Sequence, residues 1–262
     1  MMVSIIMPMF NSASTLTDSV NSVLAQDYQS WELIIVDDNS GDESLAIANK
    51  FADMDPRIVV LMTDRNVGSG GARNKGILKA KGDLIAFLDS DDLWLPQKLE
   101  KQVKMFSDKN INFVCSAYQR FNSVTFETEN VGVPNVITFK NLLKTNYIGC
   151  LTVVLRRDAF NNLMFPDMRK RQDYALWLSL IRLGDNVHCV NHVLARYRHG
   201  HESVTSNKLG SVMSTWKVYR EFLQLSFSSS TFYFFNYLVR GFFRTKFPLL
   251  SLFLGFSFSV KE

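Results

Sequence analysis

Five apolar residues, Leu84-Ile85-Ala86-Phe87-Leu88, run directly into Asp89-Ser90-Asp91-Asp92. A short run without a polar residue reads as a strand covered on both faces, the pattern of a parallel strand in an α/β sheet. Asp is depleted within strands, so the three carboxylates fall where the strand has ended. Open α/β sheets bind their ligands at that carboxyl edge. Carboxylates held this close raise one another's pKa values unless a cation lies among them. Their oxygens suit a hard divalent ion such as Mg²⁺ or Mn²⁺. The competing reading is a solvated acidic turn that caps a helix starting near Pro96.

The preceding chain repeats the pattern. Residues 3–9 read as a buried strand, and Asn11, Ser12 and Ser14 then offer helix caps. A helix over about 15–26 carries Leu16, Val20, Val23 and Leu24 on one face. A second apolar strand over 32–36 ends in Asp37-Asp38-Asn39-Ser40-Gly41, again with acids at the carboxyl end. A helix over 42–54 and a strand over 57–62 follow. Strands alternating with helices imply right-handed crossovers and a mostly parallel, Rossmann-like sheet flanked by helices.

The segment Asn66-Val67-Gly68-Ser69-Gly70-Gly71-Ala72-Arg73-Asn74-Lys75-Gly76 opens the next helix. A dinucleotide fingerprint starting at Gly68 would need glycine where Arg73 stands, and no Walker pattern is present. What remains is a glycine-rich helix start with Arg73 and Lys75, either a diphosphate site or a loop with solvated basic residues. Further on, the spacing gives a helix from Pro96 to about Lys109, a strand over 111–116 and a polar, partly alternating stretch over 117–136. A strand over 151–155, an apolar helix from Gln172 to Leu183, short strands near 187–190 and 194–197, and a helical region past Ser203 complete the series.

Composition bounds the partners. A net charge of +4 on 262 residues favours anionic ligands such as phosphates or an acidic membrane surface, and does not indicate a nucleic-acid binder. Cys115, Cys150 and Cys189 are widely spaced and odd in number, which gives no disulfide framework or zinc spacing and points to a reducing cytosol. The first residues lack the basic region and long apolar run of a signal peptide.

Five stretches together resemble the inverting family-2 glycosyltransferases of GT-A fold. They are Val3–Asn11, Ser22–Tyr28, Val36-Asp37-Asp38-Asn39-Ser40, Gly70–Gly76 and Leu88-Asp89-Ser90-Asp91-Asp92, in the family's order and spacing. The resemblance covers about residues 3–205. It implies a GT-A α/β catalytic domain over 1–205, with a nucleotide-binding half to about 116 and an acceptor half over 117–205. It also implies roles. Asp38 would bond the uracil edge of a UDP-sugar, Pro8 and Phe10 would line the base pocket, and Asp89 would contact the sugar nucleotide. Asp91 would hold Mn²⁺ or Mg²⁺, and Asp173 would be the general base, although Gln172 replaces the family's usual Glu before it. A plain helix N-cap is the other reading of Asp173. Arg198 is a candidate diphosphate contact, in a Tyr197-Arg198-His199…Ser203 stretch where the family's His comes one place early. His199 or His201 could serve as a metal or phosphate ligand, or either could be structural.

Residues 206–262 read as a helical segment dense in Phe, Tyr and Leu from 231 onward. Arg240, Arg244, Lys246 and Pro248 interrupt it, so it is too short for the ~20 apolar residues of a membrane span. Aromatics beside basic residues suit a helix lying in an anionic membrane interface. A helix packed on the catalytic domain or in a dimer interface is the alternative. The expected function is transfer of a sugar to a glycan or lipid-linked acceptor in surface-polysaccharide assembly, at the inner face of the cytoplasmic membrane. The competing readings are a nucleotide-sugar-binding protein that has lost catalysis and, against the nucleotide-site motifs, a glycoside hydrolase.

Overall fold

A computed structural model describes residues 1–161, 163–182, 184–199 and 208–260. His201 and Ser203 lie outside the described residues. The chain opens β1 (Val3–Met9), α1 (Leu16–Leu24), β2 (Trp31–Asp37), α2 (Ser44–Met54), β3 (Ile58–Met62), α3 (Gly68–Lys79) and β4 (Leu84–Phe87). It continues with β5 (Leu93–Trp94), α4 (Lys98–Met105), β6 (Phe113–Asn122), β7 (Thr128–Val131), β8 (Val136–Ile137) and α5 (Phe139–Lys144). Then come β9 (Val154–Arg156), α6 (Gln172–Ile181), β10 (Val187–His199), α7 (Lys208–Lys217), α8 (Phe227–Lys246) and α9 (Pro248–Phe253).

One sheet has the order β3-β2-β1-β4-β9-β6-β10-β5, with β7 beside β6 and β8 beside β10. Its first four strands are mutually parallel. Antiparallel β9 joins β4 to β6, so the sheet runs unbroken across the expected boundary near residue 116, which falls inside β6. The two short strands expected near 190 are one strand, β10. Register shifts between Val190 and Val193 and between Val193 and Ala195 break its alternation, which is why it reads as two pieces. The helix expected from Pro96 starts at Lys98.

Alternate side chains of the central strands feed two cores. Ile5, Met7, Leu33, Ile35, Leu84 and Ala86 pack with α1 and α4 on one face. Ile6, Ile34, Val36, Ile85 and Phe87 pack with α3, α5 and α6 on the other. This two-sided burial is why the central strands carry continuous apolar runs. Trp177 of α6 is fully buried, with its ring centroid 5.9 Å from Phe87, 5.3 Å from Phe113 and 5.9 Å from Phe165. Aromatic pairs at these separations add to simple burial.

The C-terminal helices pack back on the domain. Trp216 meets Phe234 at 5.2 Å and Phe258 meets Tyr147 at 5.6 Å. Asn191 donates its side-chain N–H to the Ser259 carbonyl at 2.8 Å. A Cβ on Gly132 would lie 2.2 Å from the Phe258 carbonyl oxygen, so this close approach requires glycine there. Arg240 and Arg244, expected to face anionic lipid, turn inward. Arg240 donates to the Tyr147 hydroxyl at 3.2 Å and stacks 4.5 Å over the Phe256 ring. Arg244 donates to Thr145 Oγ1 at 3.2 Å. The outer face of α8 and α9 instead presents apolar side chains, among them Phe232, Phe235, Phe242 and Phe253. Among the described residues, no helix is long and apolar enough to cross a membrane.

Candidate functional site

The carboxyl ends of β1, β2 and β4 meet at one edge, and short loops there are tied together. Asn11 and Asn39 both adopt left-handed backbone (φ 49° and 65°), a conformation Asn tolerates better than most residues. Asn11 Oδ1 accepts from the Gly41 N–H at 2.8 Å, and its own N–H donates to Ser40 Oγ at 3.0 Å. The Asp38 N–H donates to the Met9 carbonyl at 2.7 Å. Pro8 is buried opposite Val36, while Phe10, just beyond the strand, is 49% exposed and is the apolar surface available at this edge.

Asp38 is buried, and its carboxylate holds the start of α3. Oδ1 accepts from the Thr63 hydroxyl at 2.9 Å and the Val67 N–H at 2.8 Å, and Oδ2 accepts from the Gly68 N–H at 2.8 Å. Gly68 has φ 77°, so glycine suits that corner. The role of Asp38 visible in the structure is to fix the loop leading into the glycine-rich helix start.

Arg73, expected beside a diphosphate, is buried within α3. Its guanidinium pairs with the Asp89 carboxylate and lies 5.2 Å over the Phe165 ring. Burial is the largest single influence and works to lower its pKa, but the Asp89 charge and hydrogen bond together with the charges of Cys150 and Asp173 outweigh it and hold it above the ordinary arginine value. Arg73 therefore fixes Asp89 at the end of β4. Asp92 is buried too. Its Oδ1 accepts the Arg198 N–H at 2.9 Å, and its Oδ2 has no partner among the described residues. Burial, then the charges of Asp91 and Asp89, push its pKa well above the ordinary carboxylate range.

Arg198 clamps this acidic loop to the end of β10. Its Nε donates to the Asp91 carbonyl at 2.8 Å and its Nη2 lies 3.3 Å from Asp18. His199 is the last residue of β10, opposite Asn122. Among the described residues, no group of three or more His, Cys, Asp or Glu side chains could by itself hold a metal ion. A divalent ion that binds with substrate needs only one or two carboxylates, because phosphate oxygens and water fill its other positions. Asp91 beside the unpartnered Oδ2 of Asp92 fits that requirement.

Asp173 is the second residue of α6. The helix N-cap is Arg171, in left-handed backbone (φ 63°) and without a side-chain cap bond, so Asp173 is not the cap. Its charge acts on Arg73 and on Cys150, which also feels Asp89 and Asp92. The fold thus gathers Arg73, Asp89, Asp92, Cys150 and Asp173, and Cys150 was not singled out by motif reading.

Gln172 was visible only as a departure from a motif. Its amide oxygen accepts from Ser69 Oγ at 2.6 Å and the Gly70 N–H at 3.2 Å, and its amide nitrogen donates to the Met168 carbonyl at 2.7 Å. A Cβ on Gly70 would stand 2.5 Å from this side chain. Glycine at 70 and glutamine at 172 therefore join the starts of α3 and α6.

A Rossmann-like sheet with an acidic loop at its carboxyl edge, extended by a mixed half that brings in α6, is the architecture of the GT-A fold. The chain belongs to glycosyl transferase family 2, whose sequence model matches residues 4–164. It is 39% identical to the Escherichia coli UDP-Glc:α-D-GlcNAc-diphosphoundecaprenol β-1,3-glucosyltransferase WfgD, over 92% of this chain and 93% of that one. It is 38% identical to TuaG of Bacillus subtilis, a glycosyltransferase ascribed to teichuronic acid biosynthesis, over 90% and 94% of the two chains. Among solved structures, Staphylococcus aureus TarS 1-349 with UDP superposes with a TM-score of 0.69 at 20% identity, over 92% of this chain and 72% of that one. The Pyrobaculum calidifontis mannosyltransferase PcManGT, with GDP-Man and Mn²⁺, gives 0.69 at 16% identity, over 86% and 64%.

Proposed function

We propose that this chain transfers a sugar from a UDP-sugar to a lipid-linked sugar acceptor in the assembly of a surface polysaccharide such as O-antigen, capsule or exopolysaccharide, with inversion at the anomeric carbon. The observation that carries the reading is that buried Arg73 pairs with Asp89 at the sheet's carboxyl edge and also feels the Asp173 charge, while Asp91 and Asp92 follow Asp89 in the same acidic loop. The donor and acceptor in WfgD's name and the UDP bound by TarS support the substrate classes.

Phe10 and Pro8 border the uracil, and Asp38 shapes the loop beneath it. Asp89, held by Arg73, contacts the sugar nucleotide. Arg198, through the Asp91 carbonyl and the Asp92 carboxylate, fixes the acidic loop beside the diphosphate. Asp91, with Asp92 beside it and His199 nearby in sequence to Arg198, would hold Mn²⁺ or Mg²⁺, which supplies positive charge against the departing diphosphate. The acceptor hydroxyl attacks the anomeric carbon from the face opposite the nucleotide. Its proton passes to an Asp173 carboxylate oxygen, the bond to the diphosphate oxygen breaks, and the electron pair leaves with UDP. One displacement inverts the centre. The outward apolar face of α8 and α9 is the surface we assign to the cytoplasmic leaflet, where a lipid-linked acceptor resides.

The test is turnover by the full chain with a panel of nucleotide sugars and an alkyl-diphosphate N-acetylglucosamine acceptor, with and without EDTA. The expected result is UDP release that needs both acceptor and divalent ion, with a product of inverted configuration by NMR. Full activity in excess EDTA would overturn the metal assignment, and a retained configuration would overturn the mechanism.

A further inference from the structure

Away from the acidic edge, a groove of about 1450 Å³ runs between the mixed half of the sheet and the C-terminal helices. None of Asp38, Asp89, Asp91 or Asp173 lines it. It is larger than the ~300–1,000 Å³ of pockets for compact small molecules, so it suits an elongated ligand. One stripe of α8, Tyr237, Gly241 and Arg244, forms a wall at spacings of four and three residues, and Pro248 at the start of α9 continues it. Arg171 lines it from the start of α6.

We propose that this groove binds the diphosphate and proximal lipid of the acceptor, an assignment that rests on the glycosyltransferase reading above. Arg171 and Arg244 carry the argument. Arg171 bonds the Tyr237 hydroxyl at 2.7 Å and Arg244 bonds Thr145 Oγ1 at 3.2 Å. Among the described residues neither has a carboxylate within ion-pair distance. Arg120, which also lines the groove, has Glu129 at 3.3 Å. Two guanidiniums with neutral partners in a concave site offer charge and fork geometry to a diphosphate. Position fits as well, because Arg171 immediately precedes Gln172 and Asp173. A diphosphate held there delivers its attached sugar to the base. The outer face of the same helix is apolar, so a lipid tail leaving the groove meets the surface assigned to the membrane.

The test is calorimetric binding of decyl-diphosphate N-acetylglucosamine, decyl N-acetylglucosaminide and inorganic pyrophosphate to the full chain, with UDP binding measured alongside. Gly241→Trp places an indole in the groove at a position where an added Cβ meets nothing within 4 Å and where tryptophan favours helix over glycine; a circular dichroism spectrum like that of wild type confirms the fold. Arg244→Ala removes one guanidinium. The expected result is tight binding of the diphosphate probe to wild type, competed by pyrophosphate. Both variants should bind it at least tenfold more weakly and keep wild-type UDP affinity. The proposal is overturned if both variants bind the diphosphate probe as wild type does, or if the probe lacking diphosphate binds wild type equally well. Failure of wild type to bind UDP removes the donor reading, and the acceptor assignment with it.

Discussion

Asp38 accepts three hydrogen bonds from the segment leading into α3, so its removal has two effects. Asp38→Ala removes the acceptor of the buried Thr63 hydroxyl and of the part-buried Val67 and Gly68 N–H bonds and should cost about 1–3 kcal/mol of stability, read as a fall in denaturation midpoint, along with weaker UDP binding by calorimetry. Unchanged stability would show that the loop holds its shape without the carboxylate. Asp173→Asn should lower kcat by about 10²–10⁴ and leave UDP affinity intact; wild-type turnover would remove Asp173 as the base. Lys98 gives a pH signature. It is fully buried, donates to Gln102 Oε1 at 2.7 Å and lies 4.0 Å over the Trp94 ring. Burial depresses its pKa well below 10.5. The folded protein therefore binds fewer protons than the unfolded chain between the two pKa values, and stability falls as pH drops through that window. Lys98→Met should flatten the slope of stability against pH below 10.5, and an unchanged slope in urea titrations would refute this. The acidic motifs were legible because their carboxylates are neighbours in sequence. The burial of Arg73 against Asp89 was not, since that pair exists only once α3 packs beside the end of β4.

At the level of elements, apolar runs bounded by acids or glycines gave the parallel strands to within a residue or two, because burial on both faces leaves no room for polar positions. β10 was harder, as its register shifts interrupt the period that marks a strand. The polar, partly alternating stretch over 117–136 holds the end of β6 and all of β7, which pair there as an antiparallel hairpin. Two elements give tests of their packing. Trp177→Ala, which empties the junction of Phe87, Phe113 and Phe165, should cost about 3–5 kcal/mol by denaturant unfolding, and a loss under 1 kcal/mol would mean that α6 closes over the gap. Gly132→Ala drives a methyl group against the Phe258 carbonyl. It should raise hydrogen exchange over residues 256–260 and leave β1, β2 and β4 protected. Unaltered exchange would mean that the segment shifts without loosening.

For the whole molecule, the inward turn of Arg240 and Arg244 alters what membrane binding should look like. Of the three basic side chains first expected to meet lipid, Arg240 and Arg244 bond back to the protein, and Lys246 is exposed with no side-chain hydrogen bond or ion pair among the described residues. Attraction of ~1 kcal/mol per basic residue would therefore contribute little, and the adhesion proposed above would rest on the outward Phe and Leu side chains. The chain should float with liposomes at high salt nearly as well as at low salt, and Phe235→Asp with Phe253→Asp should abolish flotation. Wild type remaining in the soluble fraction would sink the idea. The topology also has a consequence for synthesis. The four parallel strands β3-β2-β1-β4 are complete by residue 88; β1–β2 and β2–β3 join strands consecutive in sequence, and β4 returns to pair with β1. On a ribosome, where N-terminal units fold first, this half can form early. The far strand β5 waits for β10, and the groove wall waits for α8, well over a hundred residues later. A pause or cleavage within that interval would leave the parallel strands made and the groove without the wall that α8 supplies.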